Sequence, residues 1–206
     1  MNHDCSHSSH RFLSILATLL LLGQSDGLIA LELSSEPITP MEPIVTSVKT
    51  RFTDNDNGTV VDHLTGLVWL KNANCTETVG GVNKSSGVLA WANALAWTAA
   101  LDNGNCGLND GSIASQWRLP NRSELQSLID HHLSSPALPA DHPFTHVQSN
   151  YYWSSTTFAP GTDGAWGVNL TDGNVYAGGA TFILYVWPVR QQADVSSEQA
   201  KADAGL

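Results

Sequence analysis

Four imidazoles and a carboxylate lie close together in one short stretch: His131, His132, Asp141, His142 and His146. Imidazole and carboxylate are zinc ligands, so the set has to be weighed as a metal site. His142 is followed by Pro143, which bars the helical i, i+4 pair that would aim His142 and His146 at one ion. His131 and His132 are adjacent at a helix end, where a partly charged imidazole favourably meets the helix dipole. Asp54, Asp56 and Asp62 offer calcium ligands, but a calcium-binding helix–loop–helix requires Gly at its sixth position and Glu at its twelfth. Counted from Asp54, Gly58 is fifth and Thr65 twelfth, so a plain hairpin is the preferred reading and calcium the weaker one. Ser154 and Ser155 follow Trp153 without a G-x-S-x-G elbow, and read as sheet residues with locally bonded hydroxyls. No catalytic residue and no cofactor are expected.

The stretch SQWRLPNRSELQSLIDHH carries Trp117, Arg118, Arg122 and Glu124. Asn121 is a good helix N-cap, and Glu124 three residues on can return a bond to the cap amide. Leu125, Leu128 and Ile129 then form a buried stripe, and Leu119, placed before Pro120, is held extended. Arg118 reads as a partly buried fork on backbone carbonyls or a carboxylate. Arg122, one step into the helix, is more exposed and is the better ligand candidate. The stretch is chiefly a folding signature.

The elements that must position these groups follow from periodicity. An Ala- and Leu-rich helix is expected over 86–101, with Val88, Trp91 and Leu95 on one face, Trp97 and Leu101 broadening it, and Asn103-Gly104 ending it. Asn57-Gly58 reads as a two-residue hairpin turn joining strands 51–54 and 59–62, and Thr65-Gly66 leads into strand 67–70. After a Pro- and His-rich loop over 133–150, strands are expected at 151–158, 165–170, 174–179 and 182–190, with a turn at Asp172-Gly173. The order of hairpin, two helices and an antiparallel run of strands indicates an α+β fold.

Residues 1–25 read as a signal peptide, with Arg11 before a short apolar run and small residues at the cleavage site. Residues 26–49, with Pro37, Pro40 and Pro43, read as a flexible leader, 50–190 as the folded domain and 191–206 as a flexible tail. Once the signal is cleaved, no stable membrane span is expected, and the chain is placed outside the cytoplasm: periplasm, cell surface or secreted. Cys5 lies in the signal, which leaves Cys75 and Cys106 to form a structural disulfide in an oxidising compartment. A metal site would need more ligands at closer spacing, and a redox pair would take the form C-x-x-C. Across the 206 residues, 9 Lys and Arg stand against 19 Asp and Glu. Nucleic acid, which needs a basic footprint, is therefore not an expected partner.

The segments DNGTVVDHLTGLVWLKNANC, QWRLPNRSELQSLID, YYWSST, AWGV and YVWPVR, in that order, resemble the Lcl C-terminal domain family, a bacterial family named for a collagen-like adhesin. WRLP before a capped acidic helix is more distantly similar to the formylglycine-generating sulfatase-modifying enzymes. That second resemblance implies a C-type-lectin-like fold, with two helices packed on small antiparallel sheets, long loops, and a sheet joining the ends of the domain. Those enzymes act through cysteines near the end of the domain. FILYVWPVR has none, so that activity is not expected.

The resemblance implies an exported, non-enzymatic domain that binds carbohydrate or another surface polymer and supports adhesion or envelope attachment. The alternative is a structural or protein-interaction module of the cell envelope, with an envelope protein as partner, and the third reading is an enzyme of unknown type using the late loops. Tyr151, Trp166 and Tyr176 are the candidate sugar-stacking rings, with Arg122 beside them as a further ligand contact. The name-giving adhesin binds sulfated glycans, yet residues 49–190 carry four more acidic than basic side chains. A polyanion would be repelled unless Lys71, Lys84 and Arg122 cluster, so a neutral glycan or a protein partner is at least as well supported.

Overall fold

The computed structural model describes residues 50–159, 164–179 and 181–192. The expected signal, the leader and the tail from residue 193 onward lie outside the described residues. The elements are β1 (Phe52–Asp54), β2 (Thr59–Asp62), β3 (Leu67–Leu70), β4 (Val88–Ala90), α1 (Trp91–Ala100), α2 (Arg122–Ser127), β5 (Tyr151–Thr157), β6 (Ala165–Asn169), β7 (Val175–Gly178), β8 (Ile183–Tyr185) and β9 (Val189–Gln191). They form a four-stranded sheet ordered β1-β2-β3-β9 and a five-stranded sheet ordered β4-β8-β5-β6-β7. Every named pairing is antiparallel except the short parallel one between β5 and β8. Two helices and two mostly antiparallel sheets make an α+β fold.

The first sheet follows from its side chains. TVVD and LVWL are buried at every position, and such runs suit strands covered on both faces. Asp62 belongs to this buried set because its carboxylate is saturated. Arg51 donates to it at 3.0 and 2.9 Å, the Leu64 amide at 3.0 Å and the Thr65 hydroxyl at 3.0 Å. Arg51 also donates to the Ser127 carbonyl at 2.7 Å, fastening the start of the sheet to the end of α2.

Four expectations are corrected. The turn at Asn57-Gly58 is not a two-residue hairpin: Asp54 pairs with Val60, and Asp56 and Gly58 carry the positive φ angles, 56° and 85°. Asn57 instead accepts from the Thr59 amide and hydroxyl, while its carbonyl receives the Asn109 amide. The loop is wider because it packs against the 105–109 segment, where a Cβ on Gly58 would lie 2.4 Å from the Gly107 oxygen.

The first helix does not reach back to Ser86. Val88–Ala90 is strand β4, paired with β8, and α1 begins at Trp91. Gly87, at φ 81°, turns the chain into an extended path, and the edge of β8 satisfies the backbone there. Sheet pairing thus overrides the helical propensity of Ala and Leu. The buried face of α1 is Ala94, Trp97 and Thr98, continued by Leu101, while Trp91 and Leu95 sit at its margin.

The apolar run 182–190 is two strands in two different sheets. β8 pairs with β4 and β5, β9 pairs with β3, and Val186, Trp187 and Pro188 carry the chain across. Trp187 is the pivot of this crossover. Its ring meets Trp69 of the first sheet at 5.3 Å, Tyr152 of the second at 5.7 Å and Phe144 of the long loop at 4.7 Å. Its Nε1 donates to the Leu70 carbonyl at 2.7 Å. Finally, Gln191 pairs with Leu67 inside β9, so the folded unit runs past the expected boundary at 190.

The Cys75–Cys106 disulfide is present, with the Cα atoms 5.5 Å apart. It fastens the segment after β3 to the segment after α1.

Candidate functional site

Asn121 caps α2 as its type requires. Its Oδ1 accepts from the Glu124 amide at 2.8 Å, and Glu124 Oε2 accepts from the Asn121 amide at 2.7 Å. Glu124 then has both oxygens on Arg118, at 2.8 and 2.8 Å, while Arg118 also donates to the Leu119 carbonyl. Burial alone would raise the Glu124 pKa, but the Arg118 and Asn121 hydrogen bonds outweigh it and hold the carboxyl below its ordinary value. Backbone bonds of 3.0 Å in both directions join Arg118 to Val189. The fork therefore ties the cap of α2 to β9, the structural role its setting suggested.

The four candidate ligand residues do not form one surface. In antiparallel sheets directly paired residues share a face and successive residues alternate. Tyr176 pairs with Gly167 and Trp166 pairs with Ala177, so Tyr176 and Trp166 project to opposite faces. Tyr151 pairs with Asn169 and falls on the Tyr176 face. On the other face, the Arg122 guanidinium lies 5.0 Å from the Trp166 ring, Phe158 meets that ring at 5.2 Å, and the Arg122 amide donates to Thr156 Oγ1 at 3.0 Å. Arg122 is thus half-buried on an aromatic ring.

The Tyr151 face gains a member that the sequence had not flagged. Tyr176 stands between Tyr151 at 5.8 Å and Phe182 at 5.9 Å, in tilted and edge-on contacts. Tyr176 is 42% exposed and Phe182 48%. Two glycines make room for side chains on this same face: a Cβ on Gly167 would lie 2.8 Å from Leu184 Cδ1, and one on Gly178 would lie 2.7 Å from the Trp153 ring. Trp153 is itself buried and held by its Nε1 bond to the Leu89 carbonyl at 2.8 Å. The buried Trp153 therefore shares the face with the Tyr151 and Tyr176 rings. Phe182 was hidden inside the run 182–190, where its exposure could not be told from that of its neighbours.

The other candidate groups are dispersed. Asp54 is ion-paired to Lys71 and Asp62 to Arg51, at opposite ends of the β1–β2 hairpin. Among the described residues, the one trio of Cys, His, Asp and Glu side chains with ligand atoms close enough for a shared ion is Cys75, Glu77 and Cys106. Its two sulfurs are bonded to each other. His131, His132 and His146 are exposed and His142 is half-buried, where burial pushes its imidazole below the ordinary pKa. Ser154 Oγ donates to the Trp166 carbonyl at 2.6 Å, the local use expected of a sheet serine.

No basic cluster exists to receive a polyanion among Lys71, Lys84 and Arg122. Lys84 is completely buried, its Nζ bonded to the Cys75 carbonyl at 2.6 Å and Asn74 Oδ1 at 3.2 Å, with the Trp97 ring 5.2 Å away. Burial lowers its pKa to about 8. Among the described residues no helix is long and apolar enough to cross a membrane. Two further groups escaped the sequence reading: Gln191 and Gln192, assigned to a tail by their polarity, stand with Gln116, Arg118 and Arg190 around a cleft of about 260 Å³.

Comparison with protein families matches residues 58–190 to the model described as the Lcl C-terminal domain. Comparison with curated proteins gives no match.

Proposed function

Because the chain belongs to the Lcl C-terminal domain family, we propose that it is an exported, non-enzymatic binding domain that recognises carbohydrate in support of adhesion. The observation that carries this reading is the row Tyr151–Tyr176–Phe182 on one face of the five-stranded sheet, with Tyr151 half-buried and the other two rings exposed. Three rings in contact along one row suit the apolar faces of sugar rings, because aromatic side chains have few rotatable bonds to immobilise when the ligand lands. The ring of Tyr176, in the middle, is the one that contacts both of the others. Trp166, on the opposite face and occupied by Arg122 and Phe158, belongs to the fold rather than to this surface.

A C-type-lectin-like architecture is part of the same proposal. Two short helices, a small sheet that gathers both ends of the domain, and the long loop between α2 and β5 support it.

The test is a glycan array with the purified, disulfide-intact chain, compared with Tyr176→Ala and Trp166→Ala. Selective binding is expected, weakened tenfold or more by Tyr176→Ala, which corresponds to about 1.4 kcal/mol or more, with an unchanged circular dichroism spectrum. Array binding indifferent to Tyr176→Ala would sink the aromatic-face reading. An array blank for the folded wild type would turn the assignment toward a protein partner in the envelope.

A further inference from the structure

We propose that the cleft bounded by Gln116, Arg118, Arg190, Gln191 and Gln192 is a hydroxyl-recognition subsite for a single uncharged sugar ring. It is separate from the aromatic row, since it is built where β9 meets the Arg118 segment. It takes its ligand class from the carbohydrate reading above, and from nothing else in that reading.

The charge balance of the cleft argues for a neutral ligand. Both guanidinium groups are compensated from within the protein. Arg118 grips both oxygens of Glu124, and Arg190 Nη2 donates to Asp110 Oδ2 at 3.0 Å. Two cations therefore face two carboxylates, inside a domain whose overall balance is acidic. An anion arriving here gains no net Coulomb attraction and must give up its hydration.

What remains unspent is hydrogen-bonding capacity. Gln116 uses its Oε1 on the Ile113 amide, which leaves its NH2. Gln191 and Gln192 are exposed, and their amides each carry donors and an acceptor. Arg190 Nε is buried and has no acceptor among the described residues. Amide groups that both donate and accept, beside planar N–H donors, match vicinal hydroxyls, which also donate and accept.

The floor is pre-arranged. Arg190 lies 5.3 Å from the Trp117 ring, which is buried and fixed by its Nε1 bond to Ser112 Oγ at 3.0 Å. Donors held this way lose little freedom on binding. A volume of about 260 Å³ falls just below the usual range for drug-sized ligands and suits one ring rather than a polymer segment.

The experiment follows the Arg190 Nε–H and glutamine side-chain amide signals of the full chain by NMR. The probes are the methyl glycosides of glucose, galactose, mannose and N-acetylglucosamine, and separately a heparin-derived sulfated oligosaccharide, each at two salt concentrations. At least one neutral glycoside is expected to shift these signals saturably and independently of salt. The shifts are expected to survive Tyr176→Ala and to weaken at least fivefold in Gln191→Ala/Gln192→Ala, which leaves the Arg190–Asp110 and Arg118–Glu124 pairs intact. Silence toward all four glycosides overturns the proposal, as does a response confined to the sulfated probe that collapses with salt. Because Tyr176→Ala tests the aromatic row and the glutamine variant tests the cleft, the failure of one reading is distinguishable from the failure of the other.

Discussion

Lys84 is a cation placed where water does not reach, with two carbonyl oxygens and an aromatic face in place of a counter-ion. Its pKa of about 8 in the fold against 10.5 for the ordinary side chain sets the sign of a pH effect. Below pH 8 the lysine is protonated in both the folded and unfolded states and stability does not respond. Above it the unfolded chain binds more protons than the folded one, so stability rises with pH. Burial holds the Tyr152 phenol above its ordinary pKa, so near pH 10 the unfolded state begins to gain from tyrosine ionisation. Between pH 8 and 10 the Lys84 gain should therefore dominate, on the order of 2 kcal/mol. Urea denaturation at pH 7.5, 9 and 10 should show a rising midpoint in the wild type and a flattened one in Lys84→Met. A midpoint that falls across this interval would show that Lys84 is hydrated. None of this is legible in the sequence, where a lysine in a Gly- and Ser-rich stretch reads as a surface charge. The Asn121–Glu124 capping box, by contrast, was legible because both partners lie within one turn and their chemistry is local.

At the scale of elements the same division holds. β2 and β3 were readable because β-branched and apolar runs bounded by Gly and Asp turns leave few alternatives. The break at Val186–Pro188 was not, because an apolar run looks alike whether it stays in one buried sheet or passes between two. Nor was the split of the aromatic candidates over two faces, which depends on the register Trp166↔Ala177 and not on composition. The crossover carries its own prediction. Trp187→Ala removes a ring shared by Trp69, Tyr152 and Phe144 and leaves the Leu70 carbonyl without its indole donor. The expected cost is about 3–5 kcal/mol, read as a lowered midpoint in chemical denaturation. Trp187→Phe should lose less. Equal and small losses in both variants would mean that the two sheets do not depend on this ring.

For the molecule as a whole, the Cys75–Cys106 disulfide is a covalent tie across the core, closing a sequence separation of 31 residues. Loop closure on that scale is worth roughly 3–4 kcal/mol. Denaturation with and without reductant should differ by about that amount, and a Cys75→Ser/Cys106→Ser variant should match the reduced protein. A second whole-molecule feature lies in the first sheet. Phe52 pairs with Asp62, Asp62 with Leu67 and Leu67 with Gln191, so the first and last paired residues of the fold occupy one row across the strands, roughly 14 Å apart at normal strand spacing. A pull applied through both ends would open that sheet from the row inward, one pair of hydrogen bonds after another, instead of shearing all of them at once. Held by one end only, the same domain hangs free of the load, and no strand of that sheet carries tension.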